Sequence, residues 1–301
     1  MKKLLLPFFA LIACTSVSHA QGFYFTGGLG YTVPSASQMN DNYGMPFNGT
    51  ITPSAGVEHY SIKGASFSAG VNGQLGIGYM FNENIGMEVV SRQVLAPKKY
   101  TFTYYNFDYG GVTSDLSIVQ QADLPTFLIP SVYMQTKGDP LAFYMKVGVV
   151  LPTWANITMD QIITNVPGTG AITTKDFTFS LTTSTSLGFA ASAGLIYRAS
   201  PKFDVFGELG FMSLTVLAKQ QTLEALHVNG QAYSLANVTG ATNITYSKTA
   251  VVDSSQAQLP AYSLPFSNFG LQIGVRYNLG DRGGSSKRKG KNDLHDRRKK
   301  F

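Results

Sequence analysis

The chain of 301 residues is 44% hydrophobic but only 13% charged, about half the charged share of a soluble domain. That composition argues against an enzyme bathed in water on all sides. The net charge of +6 sits at the two ends: Lys2 and Lys3 open the chain and nine Lys/Arg lie between Asp281 and Phe301, which leaves 12 cations against 14 anions between them. A body this neutral is not built to hold phosphate-rich nucleic acid, and no nucleic-acid partner is expected.

Taken in chain order, the first element is an export signal at residues 1–20. Lys2 and Lys3 form a positive start, Leu4 to Ala13 a short apolar run, and Ser18-His19-Ala20 a small-x-small cleavage site. Cleavage after Ala20 removes the single cysteine, Cys14, so the mature chain has no disulfide framework. The rival reading of Leu11-Ile12-Ala13-Cys14 is a lipid-attachment site. No later segment has the 18 or more consecutive apolar residues of a membrane helix. A spanning protein without such helices must be a closed barrel, because hydrocarbon cannot satisfy open backbone groups.

Alternation with a period of two recurs along the rest of the chain, the mark of half-buried strands. Phe23 to Val33 sets Phe23, Phe25, Leu29, Tyr31 and Val33 against Tyr24, Thr26, Gly28, Gly30 and Thr32. Val71 to Phe81 repeats the pattern, with Asn72, Gln74, Gly76 and Gly78 on the polar face. Ile85 to Leu95 carries Glu88 and Arg92 there. Leu124 to Gln135 is apolar on both faces, and its orientation stays open. Leu141 to Leu151 places Tyr144, Lys146 and Gly148 opposite an apolar row. Leu187 to Arg198, Phe203 to Met212 and Phe269 to Leu279 complete eight predicted strands, with Arg198, Asp204, Glu208 and Arg276 on polar faces.

The connections alternate strictly. Asn82-Glu83-Asn84, Thr136 to Pro140 and Ala199 to Lys202 are tight turns of suitable composition. Four long segments intervene, the last running from Gln221 to Ser267. Outer-membrane barrels have short periplasmic turns and long extracellular loops. Aromatics at the short-turn end (Phe23, Tyr79, Phe81, Phe143, Tyr197, Phe203 and Tyr277) fall on the apolar parity, as an interfacial belt would. The predicted fold is therefore all-β: a closed antiparallel transmembrane β-barrel of about eight strands, spanning residues 21–280.

Leu124-Pro125-Thr126-Phe127-Leu128-Ile129-Pro130-Ser131-Val132-Tyr133 resembles the proline-containing fourth strand of the outer-membrane β-barrel domain common in Bacteroidetes. Ala142 to Val149, Gly194 to Arg198 and Phe206 to Phe211 resemble later strands of that domain. The resemblance covers roughly Gly22 to Gly280 and implies relatives of the OmpA and OmpX type. It brings no catalytic residues. The long fourth loop and the basic tail depart from the pattern.

The candidate chemistry is sparse. Glu88, Arg92, Lys146, Arg198, Glu208 and Arg276 point inward as four cations and two anions. An eight-stranded barrel is just wide enough to be filled by its own side chains, so these charges read as a salt-bridge network, with an ion path as the rival. His59-Tyr60-Ser61 resembles the His-x-Ser of small lipid A deacylases, but it sits in a long loop and reads as a chance tripeptide. Asn-x-Thr triplets at Asn48, Asn156, Asn237 and Asn243 are read as incidental. No metal-ligand spacing occurs, and no cofactor is expected. Residues 281–301 form a charged tail without a core, expected to be disordered and to face anionic periplasmic material: cell wall, lipid headgroup or protein.

Function follows from these points as an expectation: a monomeric, non-catalytic outer-membrane barrel with a structural or surface-interaction role. Its partners would be outer-membrane lipid and an extracellular ligand or surface partner met by the loops. The alternatives are a porin-like protein for small solutes and a lipid-modifying enzyme.

Overall fold

A computed structural model describes residues 22–35, 38–39, 63–109, 112–165, 173–238, 242–247 and 258–279. The export signal with Cys14, Asn48, the His59 tripeptide, and the tail with His295 lie outside the described residues.

The chain leaves β1 (Gly22–Pro34) for a long connection that holds the two-residue strands β2 (Gln38–Met39) and β3 (Lys63–Gly64). It returns as the hairpin β4 (Gly70–Met80) and β5 (Ile85–Pro97). A second hairpin, β6 (Tyr100–Tyr109) and β7 (Val112–Ala122), leads into β8 (Thr126–Gln135) and β9 (Leu141–Trp154). The hairpin β10 (Ile157–Asn165) and β11 (Thr173–Thr183) leads into β12 (Gly188–Arg198) and β13 (Phe203–Ser213). The last connection holds β14 (Thr215–Val228), β15 (Gln231–Ala232), β16 (Asn243–Ser247), β17 (Gln258–Pro260) and β18 (Ser263–Pro265), before β19 (Asn268–Asn278).

Eight strands close a barrel in the order β1-β19-β13-β12-β9-β8-β5-β4. Every pairing in it is antiparallel, and the first strand closes on the last, with Gly28 opposite Gly274. The three tight turns and both barrel termini share one end. There Asn82 Oδ1 accepts from the backbone N–H of Asn84 and of Ile85, each at 2.8 Å, closing the β4–β5 turn.

The period of two is realised as inside and outside. The outward row is exposed although apolar: Leu75 is 72% exposed, Ile273 63% and Leu29 60%. A soluble barrel would bury these residues; hydrocarbon accepts them. Phe23 to Val33 spans ten residue steps, about 25 Å along the barrel axis for strands tilted about 40°, which matches a bilayer core. Paired aromatics ring the short-turn edge, with Phe23–Tyr79 centroids 4.9 Å apart and Phe203–Tyr277 5.0 Å apart. The barrel is transmembrane.

Strand β8, whose orientation the residue pattern left open, turns Phe127, Ile129, Ser131 and Tyr133 inward and Pro130 and Val132 outward. Its ladder to β9 skips Ile129 and Pro130, where proline has no N–H to give.

The long connections are not irregular loops. Three of them continue the barrel strands upward as a second sheet, ordered β17-β16-β14-β11-β10-β7-β6, with β15 and β18 paired to β14. The inner face of this cap is apolar: Leu116, Ile118, Ile157, Met159, Ile163, Phe177, Phe179, Leu181, Leu223 and Leu226 are buried in one cluster. Its outer face carries hydroxyls and carboxylates, such as Thr178 donating to Asp160 at 3.0 Å and Thr158 to Asp123 at 2.9 Å. The physical reason is burial. Alternating apolar residues within these segments can leave water only by pairing into a sheet, and the barrel below supplies strands to extend.

Candidate functional site

Inside the barrel, the described residues with buried charges are Glu88, Arg92, Lys146, Asp204, Glu208 and Arg276, three of each sign. Glu88 and Arg92 come from β5, Lys146 from β9, Asp204 and Glu208 from β13, and Arg276 from β19. Each lands inside because its parity on the strand opposes the lipid-facing row.

At mid-height, Lys146 Nζ lies 2.7 Å from Glu208 Oε2 and 3.4 Å from Glu88 Oε2. Tyr144 donates its hydroxyl to Glu208 Oε2 at 2.7 Å, and Thr26 donates to Glu88 at 2.8 Å. Arg92 Nη2 stands 3.9 Å from Glu208 Oε1 and donates to Gln74 Oε1 at 3.2 Å. Gln272, with its carboxamide oriented to satisfy its neighbours, accepts from Arg92 Nη2 at 2.7 Å. Nearer the short turns, Arg276 Nε donates to Asp204 Oδ2 at 2.8 Å, and its Nη1 donates to the Tyr133 hydroxyl at 3.0 Å. The Arg276 guanidinium also lies over the Tyr24 ring at 5.1 Å.

This arrangement differs from the six inward charges read from the sequence. Arg198 is only half-buried, at the short-turn end. Among the described residues no salt bridge reaches it, and its Nε is buried without a hydrogen-bond partner. Asp204, absent from that set, is fully buried and pairs Arg276. The imbalance of four cations and two anions becomes three and three. Parity already placed Asp204 inward, and the unmatched Arg276 on the facing strand was the signal for it.

The lumen is full. A cavity of about 20 Å³ lies beside Arg92, Lys146 and Glu208, and one of about 10 Å³ beside Tyr24, Glu88 and Arg276; each is about the size of one water. Gly78 leaves the space that the Tyr24 ring occupies. Above the charges, the segment Ala65–Ala69 crosses the mouth and is buried throughout. Phe67 packs against Phe266 and Tyr100, both at 5.7 Å, and Phe266 against Phe127 at 6.1 Å. Ser68 Oγ donates to the Phe266 carbonyl at 2.5 Å and accepts from Asn268 Nδ2 at 2.6 Å. Polar atoms of the segment are thus satisfied by the strands around it, while its phenylalanine seals the centre.

The cap core also buries polar groups. Tyr246 donates to Gln221 Oε1 at 2.7 Å and meets Tyr262 edge-on at 5.2 Å. Burial pushes the Tyr246 phenol up to about 12 from an ordinary 10.0, and burial together with the neighbouring phenol pushes Tyr262 up as well. The folded cap thus favours the neutral phenols. Their contribution is complete below pH 10 and is lost as pH rises through about 12. Tyrosinate absorbance in a pH titration should therefore appear late for this pair and coincide with loosening of the cap, read by proteolysis. Ionisation of all tyrosines at their ordinary value, with the cap intact, would contradict this.

Among the described residues there is no cluster of His, Cys, Asp and Glu able to hold a metal. His227 lies on β14, in the cap, opposite Asp176.

No protein-family model matches the chain, and no curated protein matches it. Solved structures do resemble it. The outer membrane protein OprG from Pseudomonas aeruginosa shares 13% identity over 88% of this chain and 98% of its own, with a TM-score of 0.38. A major outer membrane protein from Thermus thermophilus shares 11% identity over 87% of this chain and 100% of its own, at 0.37. Neisserial surface protein A shares 11% identity over 86% and 99%, at 0.34. At such identities the likeness concerns fold alone.

Proposed function

We propose that this chain is an outer-membrane protein whose barrel anchors a folded cap at the cell surface, and that it acts through the cap in a structural or surface-interaction role, without catalysis or steady transport. The observation that carries this reading is the filled lumen. Six paired charges and an aromatic seal occupy the route through the barrel, while the long connections form a sheet above it. Intramembrane charges in a pathway would face a water-filled cavity; here they face one another.

Planar-bilayer recording of the purified barrel tests the transport half. Little or no steady conductance is expected, and large reproducible single-channel steps would favour the porin-like alternative. Orientation is tested separately. The mature chain carries no cysteine if cleavage follows Ala20, so a cysteine at Tyr233, exposed on the cap, should react with a membrane-impermeant maleimide on intact cells. One at Asp139, in the β8–β9 turn, should react only after the cells are opened. The reverse pattern would invert the topology.

A further inference from the structure

The outer wall of the barrel is not uniformly convex. Across β13, β19, β1, β4 and β5 it carries a concavity of about 760 Å³, lined by Leu29, Leu75, Leu95, Ile273 and Val275 over the bare backbone of Gly27 and Gly73. The leucines lean across the glycines. A Cβ built on Gly73 would lie 3.4 Å from Leu95 Cδ1 and 3.7 Å from Leu29 Cδ2, and one on Gly27 would lie 3.6 Å from Leu75 Cδ2. The groove therefore has walls of branched side chains and a floor of main chain.

Its upper end is chemically different. Ser91 and Gln93 of β5, both exposed, stand in the groove's wall opposite Leu75 and Gly73, with Leu95 above them on the side toward the cap. Above Leu95, β5 ends at Pro97 and is followed by Lys98 and Lys99. Lys98 is tied to the barrel rim by its backbone N–H, which donates to the Ala69 carbonyl at 3.2 Å, and its ammonium lies 5.9 Å from the Tyr31 ring centre. Tyr31 is the outward neighbour of Leu29 on β1, so Lys98 stands at the head of the same groove, with Lys99, exposed, next to it in the chain. From cap to midplane the order is Lys98 and Lys99, the Tyr31 ring, then an apolar trough whose β5 wall also carries Gln93 and Ser91. That order matches an amphiphile with an anionic head.

We propose that this groove binds a phosphorylated lipid of the cap-side leaflet, its phosphate held by Lys98 and Lys99 and an acyl chain laid over Gly73 and Gly27. Charge complementarity selects the head, since an ammonium is a point-charge partner for phosphate, and the medium selects the tail, since the trough opens into hydrocarbon. The inference does not depend on the cap's role in surface interaction.

The test is native mass spectrometry of the full mature chain in detergent, mixed with phosphatidic acid or with diacylglycerol bearing the same chains. Phosphatidic acid should be retained roughly tenfold more strongly, given about one tenfold or less per lysine near a membrane surface. K98Q/K99Q should bring the two lipids to parity. Gly73→Val, which fills the trough without changing charge, should weaken both. Inorganic phosphate at equal concentration should not displace phosphatidic acid. Heat-shifted gel mobility verifies that each variant is folded, and for the wild-type chain the preference itself should fall with added salt. Equal retention of the two lipids by the wild-type chain overturns the proposal. So does an unchanged preference in K98Q/K99Q, displacement by free phosphate, or a dimer whose formation excludes lipid, which would make a second copy the occupant.

Discussion

Glu208→Gln should destabilise the barrel by about 3–5 kcal/mol, the range for breaking a buried ion pair at one partner. Glu208 holds Lys146 at 2.7 Å, stands 3.9 Å from Arg92 and accepts from Tyr144 at 2.7 Å. Glutamine keeps the volume and one acceptor but leaves two cations facing Glu88 alone. Urea unfolding in micelles measures the loss. The double change Glu208→Gln with Lys146→Met should recover a large part of it, because an apolar replacement of a buried pair is often neutral. A single mutant as stable as the parent would mean that water screens the lumen, and the filled-lumen reading would go with it.

Phe67→Ala should cost a similar amount, about 3–5 kcal/mol, for a different reason. Phe67 is fully buried between Phe266 and Tyr100 at the mouth, and truncating a buried phenylalanine leaves a cavity that rigid strands cannot fill. Leu271→Ala on the lipid face should cost less, since Leu271 is 56% exposed and lipid can flow into the gap. Measured side by side in one detergent, the two values separate interior packing from membrane contact. If Leu271→Ala proved the costlier, the assignment of inside and outside would be wrong. Phe67→Ala also thins the seal, so its bilayer conductance should exceed that of the parent protein.

The eight barrel strands were legible because each obeys one uninterrupted parity. The tight turns announce themselves through Asn, Gly, Pro and Ser, and the alternation of short and long connections gave the topology. The cap was not read, although parts of it were readable: Phe177, Phe179 and Leu181 alternate with Thr178 and Ser180 as cleanly as any barrel strand. Strand β14 hides its pattern physically. Its register against β11 shifts twice, at Lys219 and Glu224, and each bulge exchanges the faces, so Val216 and Ala218 are followed by Gln221 and Leu223 and then by Leu226 on the inner side. A period of two that resets every few residues looks like no period at all. In the lumen, the members of the network were visible from parity, but their pairing was not. Which anion meets which cation depends on stagger between strands, and stagger is invisible along one strand. Arg198 shares the inward parity yet lies at the strand's last residue, where inward means toward the open end.

The seam where β1 meets β19 has a temporal meaning. Each of the six barrel strands between them pairs with the strands next to it in the barrel's chain order, but one flank of β1 has no partner until β19 has been made, with Gly28 waiting for Gly274. A chain stopped anywhere before β19 therefore carries two open edges, one of them on β1, and neither can be left in hydrocarbon. The barrel's edges are therefore both satisfied only once β19 is in place, and the final strand is the clasp. Gly28 and Gly30 on β1, with Gly270 and Gly274 on β19, keep the two backbones free of bulk at the point where two distant ends of the chain must meet in register.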